Sequence, residues 1–224
     1  MIAIRDAATI IVLRDAATRP AVLMGQRGAS VAFMPGKFVF PGGAVDANDA
    51  LAPVVPLPPQ DDARLSTDSN LAPRCLAAAA IRELWEETGQ ILGTPGDWPD
   101  PPRGWRGFAA TGHRPNGSAL RFFFRAVTPV GNPRRFDARF FLANADDLVT
   151  DPDDFTGAED ELAHLQWIAL DQARDFDLPF ITQVVLAELN AYITRGKTLT
   201  DVPFFRNDDE AHLVSRLGGA SPLG

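Results

Sequence analysis

The stretch Ala80-Ile81-Arg82-Glu83-Leu84-Trp85-Glu86-Glu87-Thr88-Gly89 is the most diagnostic part of the chain, because its acidic and apolar residues separate onto two sides of a helix. At about 100° per residue, Glu83, Glu86 and Glu87 fall within roughly one quadrant of the helix surface. The opposite side is largely apolar and carries Ala77, Ile81, Leu84, Trp85 and Thr88. Gly89 suits the left-handed conformation that ends many helices, so the pattern predicts a helix that stops at this glycine.

The three glutamates indicate a site for a divalent metal ion. Like charges one turn apart repel, and each such pair costs an isolated helix roughly a few tenths of a kcal/mol. Arg82 offsets only part of this repulsion, whereas hard cations such as magnesium prefer carboxylate oxygens accompanied by water and phosphate. A solvated acidic helix face is the alternative. The upstream turn Phe40-Pro41-Gly42-Gly43 favours the metal site, because glycine lets the backbone approach a ligand closely.

The glycine turn and the glutamate helix together resemble the Nudix hydrolase family. The family signature reads Gly, five residues, Glu, seven residues, then Arg-Glu-apolar-any-Glu-Glu-any-Gly-apolar. Residues 82–89 match its second half at every fixed position. The resemblance extends over roughly residues 5–195. It implies an α/β fold, an α/β/α sandwich with a mixed β-sheet, which agrees with strands before and after one central helix.

The first half of the signature differs from the family pattern. Counting forward from Gly43 puts the family glutamate at Asp49, whereas counting back from Arg82 puts it at Arg74. A proline-rich insertion, about residues 46–74, therefore splits the motif. Its prolines predict a loop or small lobe over the site that adds little to the core. The apolar residue expected after Gly89 is replaced by Gln90.

The split motif resembles the motif of the Nudix branch that includes coenzyme A diphosphatases. Gly36, followed by three residues and Phe-Pro-Gly-Gly, matches the end of that branch's coenzyme A motif, but Ala32 stands where the branch has an arginine. The resemblance implies a nucleoside diphosphate-X substrate, with coenzyme A or an acyl-coenzyme A as one candidate. Substrates such as ADP-ribose or dinucleotides are the other candidates within the family.

The resemblance also implies roles for individual residues. Mg²⁺ or Mn²⁺ would be bound by the carboxylates of Glu83, Glu86 and Glu87 and the carbonyl of Gly42. Arg82 would hold a glutamate by a charge-assisted hydrogen bond. Some Nudix enzymes take a general base from a loop before a late strand, which points to Glu161 within an acidic loop that is otherwise simply solvated. Contacts to substrate phosphates are expected from Arg27, Lys37 and Arg139.

The predicted reaction is metal-dependent hydrolysis of a diphosphate bond, by a Nudix-type pyrophosphohydrolase. One rival is a Nudix-like module that binds a nucleotide without cleaving it, although three repelling carboxylates would serve no purpose there. Another is an unrelated regulatory domain whose helix merely carries glutamates. Catalysis of phosphate release that requires magnesium would distinguish the enzyme from both.

Composition limits the partners and the compartment. The chain has 224 residues, is 46% apolar and carries a net charge of −8. We expect a single domain over residues 1–224 that binds a small molecule and not nucleic acid, because nucleic-acid binders carry basic patches. Neither a signal peptide nor a run of about twenty apolar residues is evident, so no membrane association is expected. Cys75 is the only cysteine, which favours a reducing, cytoplasmic environment. The sequence also allows the chain to form a homodimer.

Alternation and helical periodicity predict the remaining elements. The predicted strands cover residues 8–14 and 20–26, which form a hairpin, and residues 37–40, 105–111, 120–127, 139–143 and 165–170. Asp171 is predicted to cap a short helix, and residues 179–193 are predicted to form a long packing helix. The tail, about residues 202–224, has no predicted element.

Overall fold

A mixed β-sheet organises the chain in the computed structural model, which describes residues 3–28, 34–196 and 199–206 and the backbone of 214–216. The strands of this sheet are β1 (Ile4–Arg14), β2 (Ala21–Arg27), β3 (Phe38–Val39), β4 (Gly42–Ala44), β7 (Arg121–Val127), β8 (Arg135–Asn144), β9 (Leu162–Ala169), β10 (Pro203–Phe205) and β11 (Val214–Arg216). A small second sheet pairs β5 (Gly93–Pro95) with β6 (His113–Pro115). The α-helices are α1 (Pro59–Leu65), α2 (Pro73–Thr88), α3 (Arg106–Ala110) and α4 (Phe180–Thr194).

Helices cover both faces of the main sheet, which confirms the predicted sandwich. β1 runs parallel to β8 and antiparallel to β2, and β10 runs parallel to β7, so the sheet is mixed. Successive residues of a strand point to opposite faces. Ile10 accordingly packs in the core beneath α2, with Leu84, whereas Ile11 packs in the core beneath α4, with Val185.

The glutamate helix α2 has the start, packed face and end that the sequence predicts. Pro73 occupies its first turn, where the missing N–H costs no helical hydrogen bond. The residues 77–80 are four buried alanines, whose small side chains allow the helix to lie close to the sheet. Gly89 ends the helix with a left-handed φ of 74° and donates its N–H to the carbonyl of Trp85 at 2.8 Å.

The insertion, residues 46–74, is part of the core, so the prediction of a peripheral loop is wrong. Leu57 and Leu65 are buried in the same cluster as α2. The prolines do not prevent a helix, because Pro59 is the first residue of α1. The buried carboxylate of Asp61 accepts a hydrogen bond from the backbone N–H of Phe122 at 3.2 Å, which joins α1 to the edge of β7.

Most predicted elements are confirmed, and two are wrong. The first hairpin, the strands at residues 120–127, 139–143 and 165–170 and the helix near residues 179–193 are present. Residues 105–111 form α3 instead of a strand, because Trp105 is fully buried and packs edge-on against Phe108 one turn later. Asp171 does not cap the next helical turn, which follows Gln172 without a side-chain cap. Asp171 instead forms an exposed ion pair with Arg19 at 3.5 Å.

Part of the tail extends the sheet. β10 pairs with β7, and β11 adds a further antiparallel strand at this edge. Ala32 and residues 207–213 and 217–224 lie outside the described residues. Cys75 is a free, buried cysteine, as expected for a packing residue. Among the helices in the described part of the chain, none is long and apolar enough to cross a membrane.

Candidate active site

The glycine turn of β4 lies directly against the acidic face of α2. β4 pairs with β1, which fixes Gly42 opposite Thr9. The backbone N–H of Gly42 donates to Oε2 of Glu87 at 2.8 Å. A Cβ at Gly43 would lie 2.4–2.6 Å from the carboxylate of Glu83, so only glycine leaves room for that side chain. Sheet pairing and two glycines thus bring the two halves of the motif together.

Arg82 organises the acidic face by using all five of its N–H donors. Its Nη1 donates to Glu83 and to Glu86, each at 2.8 Å. Its Nε and Nη2 donate to the two carboxylate oxygens of Asp49 at 2.9 and 3.1 Å, and Nη2 also donates to the carbonyl of Ala44 at 3.1 Å. Burial alone would lower the pKa of Arg82, but Asp49 and the two glutamates raise it above its ordinary value. The guanidinium therefore fixes two of the three glutamates predicted to bind the metal.

Of the two candidate positions for the family glutamate, Asp49 is the one that contacts Arg82. Its side chain is fully buried, and it accepts further hydrogen bonds from Nε1 of Trp105 at 3.1 Å and from the backbone N–H of Asp46 at 2.8 Å. Arg74, the other candidate position, is exposed at the start of α2. The chain therefore departs from the family spacing after Asp49, and the helical turn Ala47–Leu51 carries this carboxylate to Arg82.

The glutamates are more buried than a solvated acidic face would be. Glu83 is 9% exposed and Glu87 only 2%, and Glu86 is partly buried. Burial raises the pKa of Glu83 to about 7, against the opposing charge of Arg82. Burial, with the charge of Glu83 as the next cause, raises the pKa of Glu87 well above its ordinary value, and burial also raises the pKa of Glu86. These three carboxylates therefore lie where additional positive charge would stabilise them.

The donor set fits a hard divalent cation. Oε1 of Glu87 is buried and has no hydrogen-bond partner, which is costly for a carboxylate oxygen unless a cation neutralises it. Arg82 contacts one oxygen each of Glu83 and Glu86 and leaves the other outside that hydrogen bond. Within the residues that the structure describes, no three acidic, histidine or cysteine side chains already converge as an assembled metal site. The carboxylates supply suitable oxygens, but their rotamers would have to adjust around an ion.

Gln90, which stands where the family has an apolar residue, holds the loop that follows residue 150 beside the glutamate helix. This fully buried amide donates to the carbonyls of Asp151 and Asp154 at 3.1 and 2.8 Å and accepts from Oγ1 of Thr150 at 2.6 Å. The N–H of Glu159 adds a hydrogen bond to the carbonyl of Glu86 at 2.8 Å. From the sequence, Gln90 stands out only as a polar residue where the family has an apolar one, and its hydrogen bonds to the acidic loop are not predicted.

The structure brings Glu161 and Arg27 to the same place. Nη2 of Arg27 donates to Oε1 of Glu161 at 3.1 Å, and both side chains line one cavity. The charge of Glu161 contributes to the raised pKa values of Glu83 and Glu87, so it acts on the glutamate cluster. These positions agree with the expected neighbourhood of a general base and a phosphate contact, and both roles remain predictions.

The other two predicted substrate contacts are placed elsewhere. Lys37 forms an ion pair with Asp177 at 2.5 Å and does not line the cavity. Arg139 is 2% exposed and donates to Asp6 at 2.5 Å and to the hydroxyl of Ser69 at 3.2 Å. Strand alternation turns Arg139 to the face opposite the cavity, where it forms a buried ion pair with Asp6; its role as a substrate contact stays a prediction.

A cavity of about 700 Å³ opens beside the glycine turn, on the α4 face of the sheet. Gly42, Gly43 and Glu161 line its inner end, where Glu83 lies directly behind Gly43. Its floor is formed by small residues of four strands, namely Ala7, Ala44, Ala126 and Ala138, and its walls include Phe136, Phe140 and the exposed Phe180. The volume exists because alanines occupy sheet positions where larger β-branched residues would fill it.

Comparisons with known proteins agree with this geometry. No protein-family model matches the chain. A curated protein of Caenorhabditis elegans, named "Putative nudix hydrolase 7", is 29% identical over 187 residues, which covers 73% of this chain and 51% of that protein. The chain therefore spans about half the length of this relative.

Solved structures show the same fold. A NUDIX hydrolase from Alicyclobacillus acidocaldarius is 27% identical, with a TM-score of 0.65 over 87% of this chain and 97% of that chain. The NUDIX domain of NrtR from Shewanella oneidensis, solved with ADP ribose, is 12% identical and has a TM-score of 0.51, which shows the fold alone over 86% and 90% of the two chains. In its glycine turn, its Arg82-centred glutamate helix and its fold, the chain is similar to these Nudix hydrolases.

Proposed function

We propose that this chain hydrolyses the diphosphate bond of a nucleoside diphosphate derivative with the help of a divalent metal ion. The observation that carries the proposal is a cluster of three glutamates, two of them buried and one of these with an unpartnered oxygen, beside a cavity of about 700 Å³. A diphosphate substrate in the cavity would add further negative charge beside the three glutamates. Cations between the glutamates and the substrate would balance both sets of charges.

The glutamates and Arg82 would divide the work of holding the ion. Glu83, Glu86 and Glu87, with the carbonyl of Gly42, would hold Mg²⁺ or Mn²⁺, which when bound neutralises charge on phosphate oxygens and lowers the pKa of a bound water. Arg82 keeps Glu83 and Glu86 oriented through its hydrogen bonds at 2.8 Å. Asp49 holds the other side of the guanidinium, so Arg82 is fixed from both sides.

Glu161 is the proposed general base. It would accept a proton from the attacking water as the water oxygen bonds to phosphorus and the bond from phosphorus to the bridging oxygen breaks. The products are then two phosphate monoesters. Arg27 donates a hydrogen bond to Glu161 at 3.1 Å and would contact a phosphate oxygen of the substrate.

Coenzyme A or an acyl-coenzyme A is the proposed substrate class, with ADP-ribose and dinucleotides as alternatives. The motif glycine Gly36 supports this choice because it shapes the turn beside the cavity, with a left-handed φ of 71°. Its N–H donates to the carbonyl of Arg27 at 3.0 Å, and its carbonyl accepts from Nε2 of Gln26 at 2.9 Å. The turn thereby positions Arg27, the proposed phosphate contact, and a long apolar cavity suits a substrate with a large group X.

Product analysis by mass spectrometry tests the proposal. Wild-type protein would be incubated with coenzyme A, acetyl-coenzyme A, ADP-ribose and a dinucleoside polyphosphate, each with and without Mg²⁺ or Mn²⁺. Metal-dependent formation of 3′,5′-ADP and 4′-phosphopantetheine from coenzyme A is the expected result. Cleavage of another substrate alone would reject coenzyme A and retain the chemistry.

Two variants identify the site responsible. Glu86→Gln should lose turnover by about two orders of magnitude, because it removes a charged ligand at the reacting centre. The control Glu188→Gln changes a glutamate of α4 that only approaches Arg195 at 3.9 Å, and it should retain the wild-type rate. Tight nucleotide binding without cleavage, at saturating metal, would contradict the proposal and support a binding module.

A further inference from the structure

Two exposed arginines of the cavity have no partner in the part of the chain that the structure describes. Arg5 and Arg134 line it, and among the described residues no hydrogen bond or ion pair satisfies either side chain. The third arginine of the lining, Arg27, is paired with Glu161. In a chain with 29 acidic and 21 basic side chains, two guanidiniums that have no partner among the described residues indicate a place for an anion at this cavity.

The sheet places both arginines at the end of the cavity away from the glutamates. In the parallel pairing of β1 with β8, Arg5 lies opposite Phe136, and Arg134 immediately precedes β8 and lines the cavity at this end. Thr9, four residues along β1, lies opposite Gly42 of the glycine turn. At about 3.3 Å per residue, roughly 13 Å of strand separate the glycine turn from Arg5.

The floor between these two ends is flat and apolar. Ala7 lies between Arg5 and Thr9 on the cavity face of β1, and Ala138 continues the same surface on β8. Ala44 adds the neighbouring position on β4. A planar or apolar part of a substrate can rest on these methyl groups, with charged groups at both ends.

We propose that Arg5 and Arg134 bind a phosphate monoester of the substrate, remote from the diphosphate that is hydrolysed. This inference rests on the proposed hydrolase function and deepens it. A dianionic phosphate matches two guanidiniums, which can donate several charge-assisted hydrogen bonds in a fixed plane. The substrate would therefore be a nucleoside diphosphate derivative that carries a further phosphate on its ribose, at either the 3′ or the 2′ position.

Paired substrates test the subsite. The value of kcat/KM would be measured for coenzyme A against 3′-dephospho-coenzyme A, and for 2′-phospho-ADP-ribose against ADP-ribose. The wild type should prefer the phosphorylated member of one pair by about tenfold, and the identity of that pair distinguishes the 3′ from the 2′ phosphate. Arg5→Gln and Arg134→Gln should each lower kcat/KM for the phosphorylated member by about fivefold, and for the other member by less than about twofold.

A matched control separates a subsite from general electrostatics. Arg106→Gln removes an exposed arginine of α3 outside the cavity, and it should leave all four values unchanged. An equal loss for both members of a pair, a loss in Arg106→Gln, or no loss in the cavity variants would each overturn the subsite.

Calorimetry gives a second measurement that does not require turnover. The wild type should bind 3′,5′-ADP or 2′,5′-ADP about tenfold more tightly than 5′-AMP, and Arg5→Gln with Arg134→Gln should abolish the difference. If ADP-ribose is cleaved but this preference is absent, the subsite is rejected and the proposed function stands. If the preference is present without cleavage of any substrate, the proposed function fails and the phosphate subsite is retained. Equal or undetectable binding of all three nucleotides rejects the subsite.

Discussion

Removing the buried carboxylate of Asp49 should destabilise the protein and disturb the glutamate cluster together. Asp49 is fully buried and accepts hydrogen bonds from Arg82, Trp105 and the backbone of Asp46. The change Asp49→Ala leaves a cavity and removes two of the five acceptors around the guanidinium of Arg82. It thereby breaks an ion pair that links the insertion to α2.

The size of the effect follows from this geometry. Removal of one member of a buried ion pair costs about 3–5 kcal/mol. Because Arg82 keeps Glu83, Glu86 and the carbonyl of Ala44, we expect a loss near the lower limit, about 3 kcal/mol. Asp49→Asn keeps the volume and one acceptor and should cost about 1–2 kcal/mol. Either change should slow turnover by about tenfold or more, because the glutamates lose part of their orientation.

Urea unfolding and steady-state kinetics on the same preparations measure both effects. Asp100→Ala is the control, since this aspartate is exposed in a loop away from Arg82. The control should keep both the free energy of unfolding and the rate. An Asp49→Ala protein within about 0.5 kcal/mol of the wild type would refute the argument that this pair holds the insertion and the helix together.

Four further predictions follow from named contacts. Glu87→Gln should lower kcat by about two orders of magnitude with the circular dichroism spectrum retained, and near wild-type rates at saturating magnesium would contradict the metal assignment. Replacing residues 50–70 with a short Gly-Ser linker should lower the melting temperature by more than about ten degrees, because it removes buried Leu57 and Leu65; a shift of only a few degrees would show that the insertion is peripheral. Ala138→Leu should fill the cavity floor and lower kcat/KM for coenzyme A with little change in unfolding, whereas unchanged kcat/KM would remove the cavity from the substrate path. Gln90→Leu should increase proteolysis within residues 150–156 and lower turnover, and a protease pattern identical to the wild type would contradict the anchoring role.

The sequence predicts the glutamate helix well because its information is local. The spacing of Glu83, Glu86 and Glu87, the apolar opposite side and Gly89 all lie within a few turns of one helix. The fold follows similarly from alternation in the strands that surround it. The contact of Gly43 with Glu83 was not predicted, because the glycine turn suggests close approach to a ligand and not to a side chain of the helix.

The features that the sequence analysis missed depend on contacts between distant segments. Asp49 reaches Arg82 across 33 positions, and its partners Trp105 and Arg82 belong to different elements. The density of prolines in the insertion suggests a loop, but Pro59 begins a helix whose last residue is buried. Arg139 shows the same limit, because alternation along a strand gives two faces without saying which one borders the cavity.

The measurement that tests the central claim most directly is turnover of nucleoside diphosphate derivatives by wild type and Glu86→Gln, each with saturating Mg²⁺ and after chelation. Rapid formation of two phosphate monoesters is expected only from the wild type with metal, and both chelation and the substitution should lower the rate by about two orders of magnitude. Equal product formation by Glu86→Gln, or cleavage that persists after complete chelation, would contradict the assignment of the buried glutamates as the catalytic metal site.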